Sequence, residues 1–164
     1  MYIFIKGLEK VVEKERKGLL YYYECAALVA IEIMLAFSAW GYVKLEYVSI
    51  TFVPLVVLAM AYLLGPWEGL CGGVIFGITG MWKASVVTMQ DAYADILFSP
   101  FRSGKSMQSV LLCFVPHIVL GLLAGILFAQ VKKSKKSQPL LIAISTIVVL
   151  ILHTVLGFAL MQGL

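Results

Sequence analysis

The chain has 164 residues, 62% of them hydrophobic and only 13% charged, with a mean hydropathy of +0.97. Soluble domains run at roughly 45–50% apolar and about 25% charged, so a water-soluble globular enzyme is excluded and a polytopic, all-α membrane protein is expected. The net charge of +4 would suggest nucleic acid in a soluble protein. Here the basic residues cluster beside hydrophobic runs, as in the inward-facing loops of membrane proteins, and no nucleic-acid-binding pattern accompanies them.

Residues 1–18 are charged and helical in period. Phe4, Ile5, Leu8, Val11 and Val12 form one apolar stripe, with Lys6, Lys10, Glu13, Lys14 and Lys17 on the remainder. The pattern predicts an amphipathic helix at the membrane interface, or one running on into the first span. Residues 19–164 then read as a single transmembrane domain. A spanning helix takes about 20 apolar residues, and five stretches qualify, at about 19–40, 48–64, 69–82, 107–131 and 139–161. Tyr21, Tyr22 and Tyr23 open the first as an aromatic belt, and Gly65-Pro66 breaks the second. The third is short and rich in glycine.

Basic residues set the expected orientation. The N-terminal segment carries five Lys/Arg and the 132–136 loop four, whereas the other loops hold one (Lys44) and three (Lys83, Arg102, Lys105). The positive-inside rule therefore puts the N-terminus in the cytoplasm of a multi-pass cell-membrane protein. Cys25, Cys71 and Cys113 lie apart inside apolar runs and read as core residues, without disulfide or metal roles.

Small residues recur every fourth position: Gly69, Gly73 and Gly77; Gly121, Gly125 and Ala129; Ala26 and Ala30. Lipid gives helices no hydrophobic reason to associate, so such stripes mark close backbone packing. One of them can instead face another subunit, and Ala26/Ala30, in the cytoplasmic half, is the best placed.

Ionisable groups inside a bilayer are costly and face a partner or a polar cavity. Glu32, His117 and His153 fall near the midplane, toward its outer half. Two readings stand side by side: a ligand site, or a Glu–His hydrogen bond that fixes packing. Glu32 lies on the side of its helix opposite Ala26/Ala30. Between the third and fourth spans, residues 83–105 form the longest loop, and long ordered loops are often lids or binding loops. Arg102 and Lys105 there suit a ligand carboxylate or phosphate, while Glu32 favours an amine or protonated ring nitrogen. Trp40, Trp82 and Phe101 can stack on a ring. Gly104-Lys105-Ser106 mimics the tail of a phosphate loop, but its first glycine would fall at Ser99. No nucleophile–base constellation is visible, so the chain is not read as an enzyme.

Several motifs resemble the substrate-binding S components of energy-coupling-factor (ECF) vitamin transporters. They are Ser49-Ile50-Thr51-Phe52-Val53-Pro54, Leu64-Gly65-Pro66-Trp67-Glu68-Gly69, Gly73-Val74-Ile75-Phe76-Gly77-Ile78-Thr79, Ser99-Pro100-Phe101, and the run from Val115-Pro116-His117 to Gly125. Their order and spacing cover most of residues 20–160. The resemblance implies a six-helix bundle that binds a small water-soluble vitamin or related micronutrient near its outer face. It further implies docking, through Ala26 and Ala30, on a transmembrane coupling subunit carrying two ABC-type ATPases. ATP is then used by those partners, and no cofactor belongs to this chain. Ligand contacts in that family come from the outer loops and later helices. Trp40, Tyr42, Trp82, Asp95, Phe101, Arg102, His117 and His153 thereby join Glu32 as candidate substrate-binding residues. The sequence departs from the pattern at His117, where members often carry arginine, and in supplying five helices rather than six. Either the chain is a fragment or the fold has been reduced or fused to something else. The alternative function is a membrane-anchored ligand-sensing input domain of a signalling protein.

Overall fold

The computed structural model describes residues 2–38, 40–44, 49–86, 96–134 and 138–162, with side chains described from residue 16 onward except those of residues 42, 44 and 49. In chain order the elements are α1 (Tyr2–Phe37), β1 (Tyr42–Lys44), β2 (Ser49–Thr51), α2 (Val53–Leu63), α3 (Pro66–Val86), α4 (Ser106–Lys133) and α5 (Gln138–Gln162). Among the described residues four helical segments are long and apolar enough to cross a membrane: Arg16–Phe37 within α1, and the whole of α3, α4 and α5. The protein is an all-α membrane protein.

The amphipathic segment and the first span form one continuous helix, α1. The second apolar stretch is helical only over the 11 residues of α2, about 16 Å at 1.5 Å per residue. Its first residues pair instead in an antiparallel hairpin, Val43 opposite Ile50 and Tyr42 opposite Thr51. The β-branched Val43, Ile50 and Thr51 suit extended backbone. Helix then starts where Pro54 falls in the first turn, a position at which the missing N–H breaks no helical bond. The amides of Leu64 and Gly65 both close on the Met60 carbonyl, at 2.9 and 3.3 Å. Gly65 turns the chain at φ +136°, a conformation glycine adopts without steric cost. Helix α3 starts immediately at Pro66 and reaches Val86, longer at both ends than its glycine-rich centre suggests.

Helices α3 and α4 form the antiparallel centre of the bundle. Successive turns of α3 at Gly69, Gly73 and Gly77 lie on α4 backbone at Gly121, His117 and Cys113. A Cβ at Gly69 would stand 2.6 Å from the Gly121 carbonyl oxygen, and one at Gly77 2.7 Å from that of Cys113. Gly125 packs in turn on Pro66. The glycine stripes are therefore packing seams within the chain. Helix α2 rests on both α3 and α4, α1 on α2 and α3, and α5 on α4. Ala36, Val53, Val57, Phe76, Leu120, Phe128 and Val149 make the shared core. Outward-facing Ile31, Met34, Ile151 and Phe158 are exposed, as lipid-facing positions would be.

The bundle has two chemically distinct ends. At one, the Tyr21 hydroxyl donates to Glu68 on the first turn of α3, and Lys132 Nζ donates to the Tyr62 carbonyl while lying 4.7 Å over the Tyr62 ring. At the other, the hairpin and residues 96–105 gather over the ends of α1 and α3.

Candidate ligand site

Glu32 is fully buried, at 0% exposure. Its Oε2 would stand 3.5 Å from a Cβ on Gly72, and the Met60 sulfur 3.0 Å from the same point. The carboxylate therefore sits between α1, α2 and α3. Among the described residues neither oxygen has a hydrogen-bond partner, so the Glu–His bond weighed from the sequence is not formed. A buried carboxyl group without donors is costly, by several kcal/mol if it is to carry its charge there. The group also lies deeper than residue counting suggests. It reaches Gly72, only six residues past Pro66 and so about 9 Å along α3, and the lean of helical side chains toward their N-terminus carries Glu32 in that direction.

One turn beyond Gly72, Phe76 extends the same face of α3. Its ring meets the His117 ring edge-on with centroids 4.0 Å apart, and His117 meets His153 of α5 at 5.1 Å. His117 is buried between α3 and α5, and its Nδ1 bonds to the carbonyl of Cys113. A carbonyl only accepts, so Nδ1 carries a proton, and in the neutral ring Nε2 is then an acceptor. The Nε2 of His153 is buried without a partner. Pro116 beside His117 is also buried and costs α4 one backbone hydrogen bond. The result is an interior layer in which His117 of α4 and His153 of α5 meet Phe76 of α3, one turn beyond the Gly72 that Glu32 of α1 approaches. Among the described residues no three His, Cys, Asp or Glu are grouped to hold a metal ion.

The cations stand elsewhere. Lys83 Nζ donates to the Ala36 carbonyl at 3.2 Å, and Arg102 Nη1 to the Ala84 carbonyl at 3.0 Å. Each places positive charge on the last turn of a neighbouring helix, where orphaned carbonyls and the helix dipole favour it. Residues 96–105 are further tied by Ser85–Ser99 at 3.0 Å, Cys113 Sγ to the Phe98 carbonyl at 3.1 Å, and Ser103–Ser109 at 2.6 Å.

The structure thus groups Phe76, His117 and His153, with Glu32 beside the preceding turn of α3. Trp40, Trp82 and Phe101 are exposed, at 77%, 59% and 86%, and do not converge on that layer. Asp95 and the Tyr42 side chain lie outside the described residues. Ala26 and Ala30 are exposed along α1. Sequence reading missed Met60, Phe76 and the anchoring serines 85, 99, 103 and 109. Only the burial of Ser99 and Ser109 in an apolar setting had a legible trace, as polar residues flanking a long loop. No family model matches the chain, nor does any curated protein sequence.

Proposed function

We propose that the chain is the membrane-embedded, high-affinity substrate-binding subunit of an ECF-type ABC transporter that takes up a vitamin or related micronutrient. One observation carries the reading: a fully buried carboxylate without a partner inside an apolar bundle, a group retained against its cost only where it serves a site. Ala26 and Ala30, exposed on α1, support docking on a transmembrane coupling subunit, because small residues let a partner helix approach closely. In this scheme two partner ATPases use the ATP, and the N-terminus and the Lys132 end face the cytoplasm.

The test is purification in mild detergent from native membranes, followed by protein identification and mass spectrometry of small molecules released on denaturation. A coupling subunit and two ATPases are expected with the chain, together with a water-soluble small molecule. Ala26→Leu should deplete the partners more than tenfold while leaving the small molecule bound. Recovery of the chain alone or as a self-dimer overturns the transport reading in favour of a ligand-sensing membrane domain.

A further inference from the structure

Resting on the reading of this interior as a ligand site, we infer that its ligand is an organic cation, an amine or protonated nitrogen heterocycle, whose N–H group pairs with the Glu32 carboxylate. Three observations lead there independently of the family resemblance. First, Glu32 is at 0% exposure with neither oxygen hydrogen-bonded. A carboxylate offers about four acceptor sites, and hydrogen bonds to a charged donor are roughly twice as strong as neutral ones.

Second, the neighbouring layer offers acceptors and aromatic surface rather than cationic donors. The Cys113 carbonyl holds the proton of His117 on Nδ1, which turns the other ring nitrogen into an acceptor. The Phe76 and His117 rings lie at 4.0 Å, and the Met60 sulfur lies over Gly72. Cations are attracted to aromatic faces, and a thioether on three rotatable bonds adapts to what enters beside it. Third, Arg102, one of the two loop cations suited to an anionic ligand, is committed at the hairpin end, and so is Lys83. Lys83 and Arg102 donate to the final carbonyls of α1 and α3. The carboxylate- or phosphate-bearing ligand suggested by the loop composition therefore loses Arg102 as a partner, and of the two ligand charges open from the sequence the cation suited to Glu32 is favoured.

The experiment uses the full chain in lipid nanodiscs, with empty nanodiscs as reference. Its probes are 10 mM phenethylamine, 2-phenylethanol as its neutral isostere, and phenylacetate as the anion, each read by the shift in unfolding midpoint. Phenethylamine is expected to raise the midpoint by several degrees, and the alcohol and the anion to leave it unchanged. Glu32→Gln should abolish the shift and Glu32→Asp should retain part of it. A shift with the anion, an equal shift with the alcohol, or no shift with the amine overturns the inference. So does an undiminished shift in Glu32→Gln. If Glu32→Gln does not fold, the contrast between amine and alcohol on the unsubstituted chain decides. Partner recovery from native membranes is a separate readout: partners with an anionic bound molecule would sink the cation assignment alone, whereas amine binding without partners would sink the transporter reading alone.

Discussion

Gly73 shows how much of the bundle hangs on a missing side chain. A Cβ there would fall onto the carbonyl group of His117, on backbone that cannot yield without separating α3 from α4. Gly73→Ala should therefore destabilise the protein by about 2–3 kcal/mol, the upper part of the overpacking range. Gly157 is a helix residue with nothing within 4 Å of such a Cβ, so Gly157→Ala should be neutral or stabilise by up to about 1 kcal/mol through helix propensity. Thermal unfolding of the two variants in one detergent separates them, and equal midpoints would remove the packing role assigned to Gly73. The every-fourth-residue spacing made this seam legible, since it depends only on helical period. Glu32 was legible as a costly charge in an apolar run. Its neighbour Met60 was not, because an apolar side chain beside a carboxyl group looks like any other core residue until the helices are placed, and the same holds for Phe76 beside His117.

At the scale of elements, the 96–105 segment is held by side chains acting on backbone. Arg102 reaches the α3 carbonyl of Ala84, and Ser99, at 0% exposure, meets Ser85. A charged donor to a carbonyl contributes about 1.5–3 kcal/mol and a neutral pair about 1. Arg102→Met should thus raise amide exchange across residues 98–105 more than Ser99→Ala does, with α4 protection unchanged in both. If exchange without any ligand is the same in Arg102→Met as in the unsubstituted chain, Arg102 does not anchor the segment. The sequence drew attention to Arg102 as a ligand cation because a basic residue in a loop carries no mark of what it will meet. Lys83 gives the same lesson: read as the first residue of the loop, it lies in the last turn of α3, and its acceptor on α1 depended on how the two helices pack. The shortness of α2 has a related origin. The apolar stretch from 48 to 64 was interrupted only by Ser49 and Thr51, and only these and the β-branched residues before Pro54 hinted that its first part pairs as a strand.

Across the whole molecule, aromatic residues mark two levels. Trp67 and Trp82 stand exposed at opposite ends of α3, fifteen residues apart and so about 22 Å along the helix. Exposed Tyr22 and Tyr23 belong to the first level, near the Tyr21–Glu68 bond, and Trp40 and Phe101 to the second. Aromatic girdles at this spacing fit the two interfaces of a hydrocarbon layer about 30 Å thick, where the exposed Trp40, Trp82 and Phe101 can serve as membrane anchors. Lys132 and Lys133 close α4 beyond the first level, and the orientation proposed above puts that level on the cytoplasmic side, in line with the positive-inside rule. Single cysteines test the assignment in a chain carrying Cys25→Ala, Cys71→Ala and Cys113→Ser, the last retaining a donor for the Phe98 carbonyl. With a membrane-impermeant maleimide on intact cells, Phe101→Cys should label and Lys133→Cys should label only after permeabilisation. The opposite pattern would invert the molecule. Labelling of both from outside would mean that α4, at 28 residues and with the highest share of buried positions among the four long helices, does not cross, and the two-level arrangement would fall with it.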